Sequence, residues 1–170
     1  MNKFALSFKS PAEILKYIKE NDIQFVDLNF TNLCGKWQHV TVHAPAFTKS
    51  TIEHGVGFSA GAVRGWTHNH ETDMLLKPDI SRGAMDPFSA QKSIKVFCDV
   101  LRASSKDRYE RDPRAVVKAA EKYLQSTGIG DTLYCGSEPE FYVFDDVRNE
   151  IRSHTAVSYT HLTLPTIYSV

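Results

Sequence analysis

Apolar residues recur first at helical and then at alternating spacing along the N-terminal part of the chain. Ile14, Leu15 and Ile18 follow Ser10-Pro11-Ala12-Glu13, giving one helix an apolar stripe from its first turn. The serine, the proline at the first helical position and the glutamate make a capping box, so a helix is expected from Ser10 toward Asn21. The period then falls to two. Phe25, Val26, Leu28 and Phe30 predict a strand over Gln24 to Thr31, Cys34-Gly35 a turn, and Lys36 to His43 the returning strand. Pro45 to His54 reads as a connector with a short helical piece, and Gly55-Val56-Gly57 loosens the backbone before Phe58. Met74 to Asp79 reads as a short strand closed by Pro78, and Ser93 to Leu101 as a strongly apolar one.

Between these elements Ser59 to Asp73 is irregular and polar, with Gly61, Gly65 and His68-Asn69-His70-Glu71. Long loops of this kind are functional or disordered. Ala103 to Arg111 is charged and aperiodic, which marks a linker and a domain boundary. Asp112-Pro113 then starts a helix whose Val116, Val117, Ala120 and Leu124 would form one buried stripe up to Gly128. A strand through Leu133, Tyr134 and Cys135 leads into Gly136-Ser137-Glu138-Pro139-Glu140-Phe141-Tyr142-Val143-Phe144-Asp145, and Asp145 to Asn149 reads as a hairpin turn. Residues 155–170 contain no Asp, Glu, Lys or Arg. They resemble a translated adapter sequence and read as a non-native tail, the plain alternative being a terminal strand.

Composition narrows the functional classes. With 170 residues, 42% hydrophobic and 24% charged, the chain suits one domain, or one small domain plus part of another. A formal net charge of zero lacks the basic footprint of a nucleic-acid binder or a polybasic membrane segment. No signal-peptide pattern or membrane-length apolar run is present, and Cys34, Cys98 and Cys135 follow no metal-binding or redox spacing. Reduced thiols in a soluble, cytoplasmic protein are expected.

The sharpest chemistry lies in Glu138 and Glu140. Placed at i, i+2 on a strand anchored by Phe141, Val143 and Phe144, both carboxylates would share one face and could grip a hard divalent cation. The plain alternative is a solvated sheet face. Pro139 between them cannot donate to a ladder, which suits a strand edge or start. Other groups take plain readings: His68 and His70 with Glu71 and Asp73 as a solvated loop rather than a metal site, and Trp37 and Trp66 as packing rather than a nucleotide pocket. Lys36 lacks a surrounding phosphate-binding glycine pattern, and Cys135 reads as a small apolar strand residue.

Several motifs, in order, resemble bacterial type I glutamine synthetase. Phe25-Val26-Asp27-Leu28 with Gly35-Lys36-Trp37-Gln38-His39-Val40-Thr41 is similar to the first hairpin of that family's N-terminal domain. Glu71-Thr72-Asp73-Met74, Lys77-Pro78-Asp79, Asp86-Pro87-Phe88, Arg111-Asp112-Pro113-Arg114 and Gly136-Ser137-Glu138-Pro139-Glu140-Phe141 follow in family order. The resemblance covers nearly all of residues 1–154. It implies an α+β fold: a ubiquitin-like β-grasp domain over 1–104, the truncated start of a catalytic α/β barrel over 105–154, and the tail over 155–170.

It also implies an activity. ATP would phosphorylate the γ-carboxylate of glutamate and ammonia would displace the phosphate, with two Mg2+ or Mn2+ ions per site and Glu138 and Glu140 among their ligands. Asp73 would be an inter-subunit contact, and the parent protein a homo-dodecamer with no nucleic-acid or membrane partner. Where the family usually reads Phe-Asp-Gly-Ser-Ser, this chain has Phe58-Ser59-Ala60-Gly61-Ala62. Ser59 thus takes the place of the family's ammonium-binding aspartate, and a neutral hydroxyl is no general base at neutral pH. A homologue with another amine or none, and an altered sequence, are the two explanations. The fragment alone is expected to be inactive. The alternatives are a γ-glutamyl-amine ligase and a non-catalytic β-grasp binding module.

Overall fold

The computed structural model describes residues 4–66, 72–152 and 155–162. It comprises two compact units, Met1–Thr132 and Leu133–Val170.

The first unit opens with a two-residue strand, β1 (Ala5–Leu6), and helix α1 (Pro11–Glu20). Ser10 caps α1 as expected, its Oγ accepting from the Glu13 amide at 3.3 Å. Glu13 closes the cap one residue early, accepting from the Lys9 amide at 2.8 Å. Strands β2 (Phe25–Thr31) and β3 (Trp37–His43) form the expected hairpin. The Asn32 carboxamide oxygen accepts from the Cys34 and Lys36 amides at 3.0 and 2.9 Å and closes its turn. Thr48 and Thr51 make a reciprocal capping box for α2 (Lys49–His54). That helix stops at Gly55, whose φ of +82° favours glycine and whose absent Cβ would stand 2.8 Å from the Leu76 carbonyl oxygen.

β4 (Val56–Ser59), β5 (Asp73–Met85) and β6 (Ser93–Arg102) complete the sheet. Its order is β1-β5-β6-β2-β3, with β4 also on β5. β2 and β6 run parallel, and the other pairs are antiparallel. β5 is longer than the short strand expected from Met74 to Asp79. Pro78 does not close it, because the register breaks only between Asp79 and Gly83 and the ladder with β6 then resumes.

Val26, Leu28 and Phe30 of β2, Ile94, Val96, Cys98 and Val100 of β6, and Met74 and Leu76 of β5 alternate into one core with Ile14 and Ile18. The reverse face carries Lys77, Asp79, Phe97 and Asp99, as the paired registers require.

Residues 103–111 are more than a linker. Tyr109 is buried at 3% exposure, its amide donates to the Val100 carbonyl at 2.9 Å, and Leu101 bridges Arg108. Burial of one aromatic ring holds this otherwise charged stretch on β6. Helix α3 (Pro113–Thr127) starts at Asp112 as expected. Its apolar stripe is a correction: α3 contains no buried residue, and Val116 and Val117 are 55% and 57% exposed. Polar side chains make its principal bonds to the sheet, so the apolar stripe finds little surface to cover it.

In the second unit, β7 (Phe144–Arg152) pairs antiparallel with β8 (Thr155–Leu162). Asp145 to Asn149, expected as a turn, thus lies inside β7. The expected strand through Leu133 to Val143 is absent too, and those residues have no regular secondary structure. A strand needs a ladder partner, and neither sheet's ladder includes these residues. Residues 155–162 of the expected tail are the strand β8. Among the described residues, no helix is long and apolar enough to cross a membrane.

Candidate active site

Two of the four expected site residues come together. In the β4–β5 ladder Ser59 is the register partner of Asp73, and both are exposed. Directly opposed residues in an antiparallel pair hold their Cβ atoms roughly 4.5–5.5 Å apart. A hydroxyl and a carboxylate therefore sit side by side at the end of a fixed ladder. The Ala60 amide donates to the Thr72 carbonyl at 2.7 Å and carries the pairing one step further.

Beyond Ser59 the chain makes a 3-10 turn over Ala60–Ala62 and reaches Trp66, which is 1% exposed. Its indole packs on Phe30 at 5.3 Å, Phe58 at 6.4 Å and Tyr109 at 5.4 Å between ring centroids. Trp66 is thus the packing element expected of it. Trp37 is half exposed and sets its ring against Phe97 at 5.3 Å. The Trp66 carbonyl accepts from the Tyr109 phenol and from Arg111 Nη1, the latter at 2.9 Å.

A second polar centre was not anticipated from the sequence. Asp99, 8% exposed, accepts from Arg114 Nε at 3.0 Å and Lys118 Nζ at 2.6 Å, with Arg108 Nη2 at 3.2 Å. Arg114 Nη2 also donates to Asp79 at 2.6 Å, and Ser81 Oγ donates to the same carboxylate at 2.6 Å. Burial, the largest influence on Asp99, pushes its carboxyl upward, yet Lys118 and Arg114 together hold it below the ordinary range. Asp79 behaves likewise: burial raises it, and Ser81 and Arg114 outweigh the burial. Asp112 goes the other way. Its burial raises the carboxyl despite the amides of Val100 and Arg114 donating to it at 3.1 Å each. The signal was present in the sequence, since Asp99 interrupts the apolar run from Val96 to Leu101 and Arg114 lies in the first turn of the next helix. Their meeting depends on tertiary placement. Asp79, Arg114 and Lys118 also line an open cleft of about 430 Å³ that contains none of the expected site residues.

Glu138 and Glu140 are exposed in the irregular stretch before β7, and the apolar residues expected to anchor them are exposed as well: Phe141 at 80% and Val143 at 58%. Their oxygens are the right donor type for Mg2+ or Mn2+. Among the described residues, however, no group of three or more His, Cys, Asp or Glu side chains could hold a metal ion. His68, Asn69, His70 and Glu71 lie outside the described residues. Lys36 is exposed at the β2–β3 turn. Cys34 and Cys135 are exposed free thiols and Cys98 a buried one, which corrects the expectation that Cys135 is a packed strand residue.

A six-stranded mixed sheet with helices α1, α2 and α3 in the same compact unit defines an α+β protein of β-grasp architecture. Residues 22–103 match the family model "Glutamine synthetase, beta-Grasp domain", and residues 110–166 match "Glutamine synthetase, catalytic domain". The chain belongs to the glutamine synthetase family. It is 45% identical over 140 residues to a glutamine synthetase of Azorhizobium caulinodans, covering 82% of this chain and 30% of that protein. It is 48% identical over 136 residues to one of Rhizobium meliloti, covering 80% and 29%. A 3-hydroxylaminophenol mutase of Cupriavidus pinatubonensis is 44% identical over 139 residues, covering 82% and 30%. The chain thus spans about 30% of the length of these curated relatives. The fold is also that of a Plasmodium falciparum glutamine synthetase, with a TM-score of 0.75 at 22% identity over 92% of this chain and 30% of that one.

Proposed function

We propose that this chain supplies the amine-facing edge and two metal ligands of an ATP-dependent ligase that makes glutamine from glutamate and ammonia. The supporting observation is the register pairing of Ser59 with Asp73 in a chain of the glutamine synthetase family. Ammonium must be held as a cation and lose a proton before nitrogen can attack, and a carboxylate serves both needs. Asp73 is the carboxylate beside the position where the family's aspartate is replaced. Glu138 and Glu140 are the proposed ligands of two Mg2+ or Mn2+ ions, which when bound would neutralise charge on the transferring phosphoryl group. The remaining residues of the site, and assembly into a cytoplasmic homo-dodecamer, would belong to a protein as long as its relatives. The 170 residues alone are proposed to be inactive.

Ser59 favours a second reading, a γ-glutamyl-amine ligase. Loss of a charge at the amine subsite weakens capture of ammonium more than of a substituted amine that also gains apolar contact.

The test is ATP-dependent phosphate release by a chain extended to its relatives' length, with glutamate and a panel of amines. Release that requires both glutamate and ammonium is expected, and preference for a larger amine would select the second reading. Release independent of glutamate would overturn both.

A further inference from the structure

Resting on the reading that the Ser59–Trp66 loop borders the amine subsite, we propose that Tyr109 and Arg111 are positioning residues. They latch this loop to the segment that starts helix α3.

The two ends of the loop are held differently. The Ser59 end belongs to the β4–β5 ladder. The Trp66 end has no ladder in the described residues, and its carbonyl instead accepts from the Tyr109 phenol and from Arg111 Nη1 at 2.9 Å. Two donors use both acceptor sites of one carbonyl, and one of them is charged. The same guanidinium nitrogen reaches the Gly65 carbonyl at 3.2 Å. Gly65 has φ +83°, a backbone shape that favours glycine. The edge-to-face contact of the Trp66 and Tyr109 rings adds an apolar component to the latch.

The donors are anchored in turn. The Tyr109 amide donates to the Val100 carbonyl, the Asp112 amide donates to the Tyr109 carbonyl at 3.1 Å, and the Asp112 carboxylate caps α3 while accepting from the Val100 amide. Within four residues the loop, β6 and the first turn of α3 share one seat. Tyr109 lies between the two matched family domains and Arg111 just inside the second. A shift of α3 would therefore be transmitted to the amine loop through these two side chains. Coupling of this kind needs an element that both sites bias, and the 109–112 segment is the candidate.

Hydrogen exchange on this chain tests the latch, comparing the native sequence with Tyr109→Phe, Arg111→Met, the double variant and the conservative Arg111→Lys. The reporters are the Val63 and Trp66 amides, which donate to the Ala60 and Val63 carbonyls. In the double variant they should exchange about 10-fold faster or more while β2 and β6 amides keep their protection, with Arg111→Lys closer to the native rate. Unchanged loop exchange, or equal acceleration throughout the sheet, would overturn the latch. In a chain of the relatives' length, the double variant should raise the KM for ammonium and leave that for glutamate unchanged. Equal changes in both would overturn the positioning role. A loosened loop in a protein with no ligase activity would support the latch and count against the proposed function alone.

Discussion

In the proposed function, the Ser59–Asp73 rung bears on substrate choice. If Asp73 supplies the charge that Ser59 lacks, Ser59→Asp in a chain of full relative length should lower the KM for ammonium roughly 10-fold, the scale of one charge-assisted hydrogen bond. Asp73→Asn should raise it by a similar factor, and steady-state kinetics with ammonium as the varied substrate checks both. Asp99 makes a different residue-scale prediction. Its folded carboxyl lies below the ordinary value of 3.8, so the unfolded chain binds that proton more readily. The stability from Asp99 is fully present above about pH 3.8 and is lost as pH falls through its lowered value. Asp79 adds in the same sense, whereas the raised Asp112 carboxyl opposes, its contribution falling away as pH rises above 3.8. Asp99→Asn should flatten the acid limb of a stability profile measured by urea denaturation between pH 2 and pH 6. An unchanged acid limb would remove the ion cluster from the account.

Helix α3 is held at the element scale by its cap and by ion pairs, because no side chain on it is buried. Asp112 uses both carboxylate oxygens, one for the Arg114 amide and one for the Val100 amide. Asp112→Ala should cost about 2–4 kcal/mol, combining about 1 for the cap with about 1–3 for the stranded Val100 donor. Asp112→Asn keeps a single acceptor oxygen and should fall between, as denaturant midpoints would show. The same elements explain what could be read from sequence. α1, the β2–β3 hairpin and β6 carry caps, turn residues or apolar runs within a few positions, and local rules suffice for them. The stripe on α3 was visible as a period, but a period does not show whether a partner surface exists. The hold on 103–111 includes Tyr109, which reaches Trp66 across 43 positions, and no local pattern reports such a contact. The pairing of Ser59 with Asp73 was hidden for the same reason, although each residue could be singled out alone.

At the scale of the whole molecule, the units Met1–Thr132 and Leu133–Val170 differ in how their apolar residues are used. The first has a continuous core. The second leaves Tyr134, Phe141 and Tyr142 at 91%, 80% and 77% exposure. Brief proteolysis should therefore cut first within 131–143 and leave a resistant product ending near α3, read by intact mass. Equal protection of both units would contradict that division.

The most direct test of the ligase account follows oxygen. In the proposed reaction a γ-carboxylate oxygen of glutamate attacks the terminal phosphorus of ATP as the bond to ADP breaks. The amine nitrogen then attacks the γ-carbon, and phosphate leaves with that oxygen. A chain of the relatives' length, given glutamate labelled with oxygen-18 in its γ-carboxylate, should release phosphate carrying one labelled oxygen per turnover, measured by mass spectrometry. Unlabelled phosphate would mean that water took the phosphoryl group, and the account would be wrong.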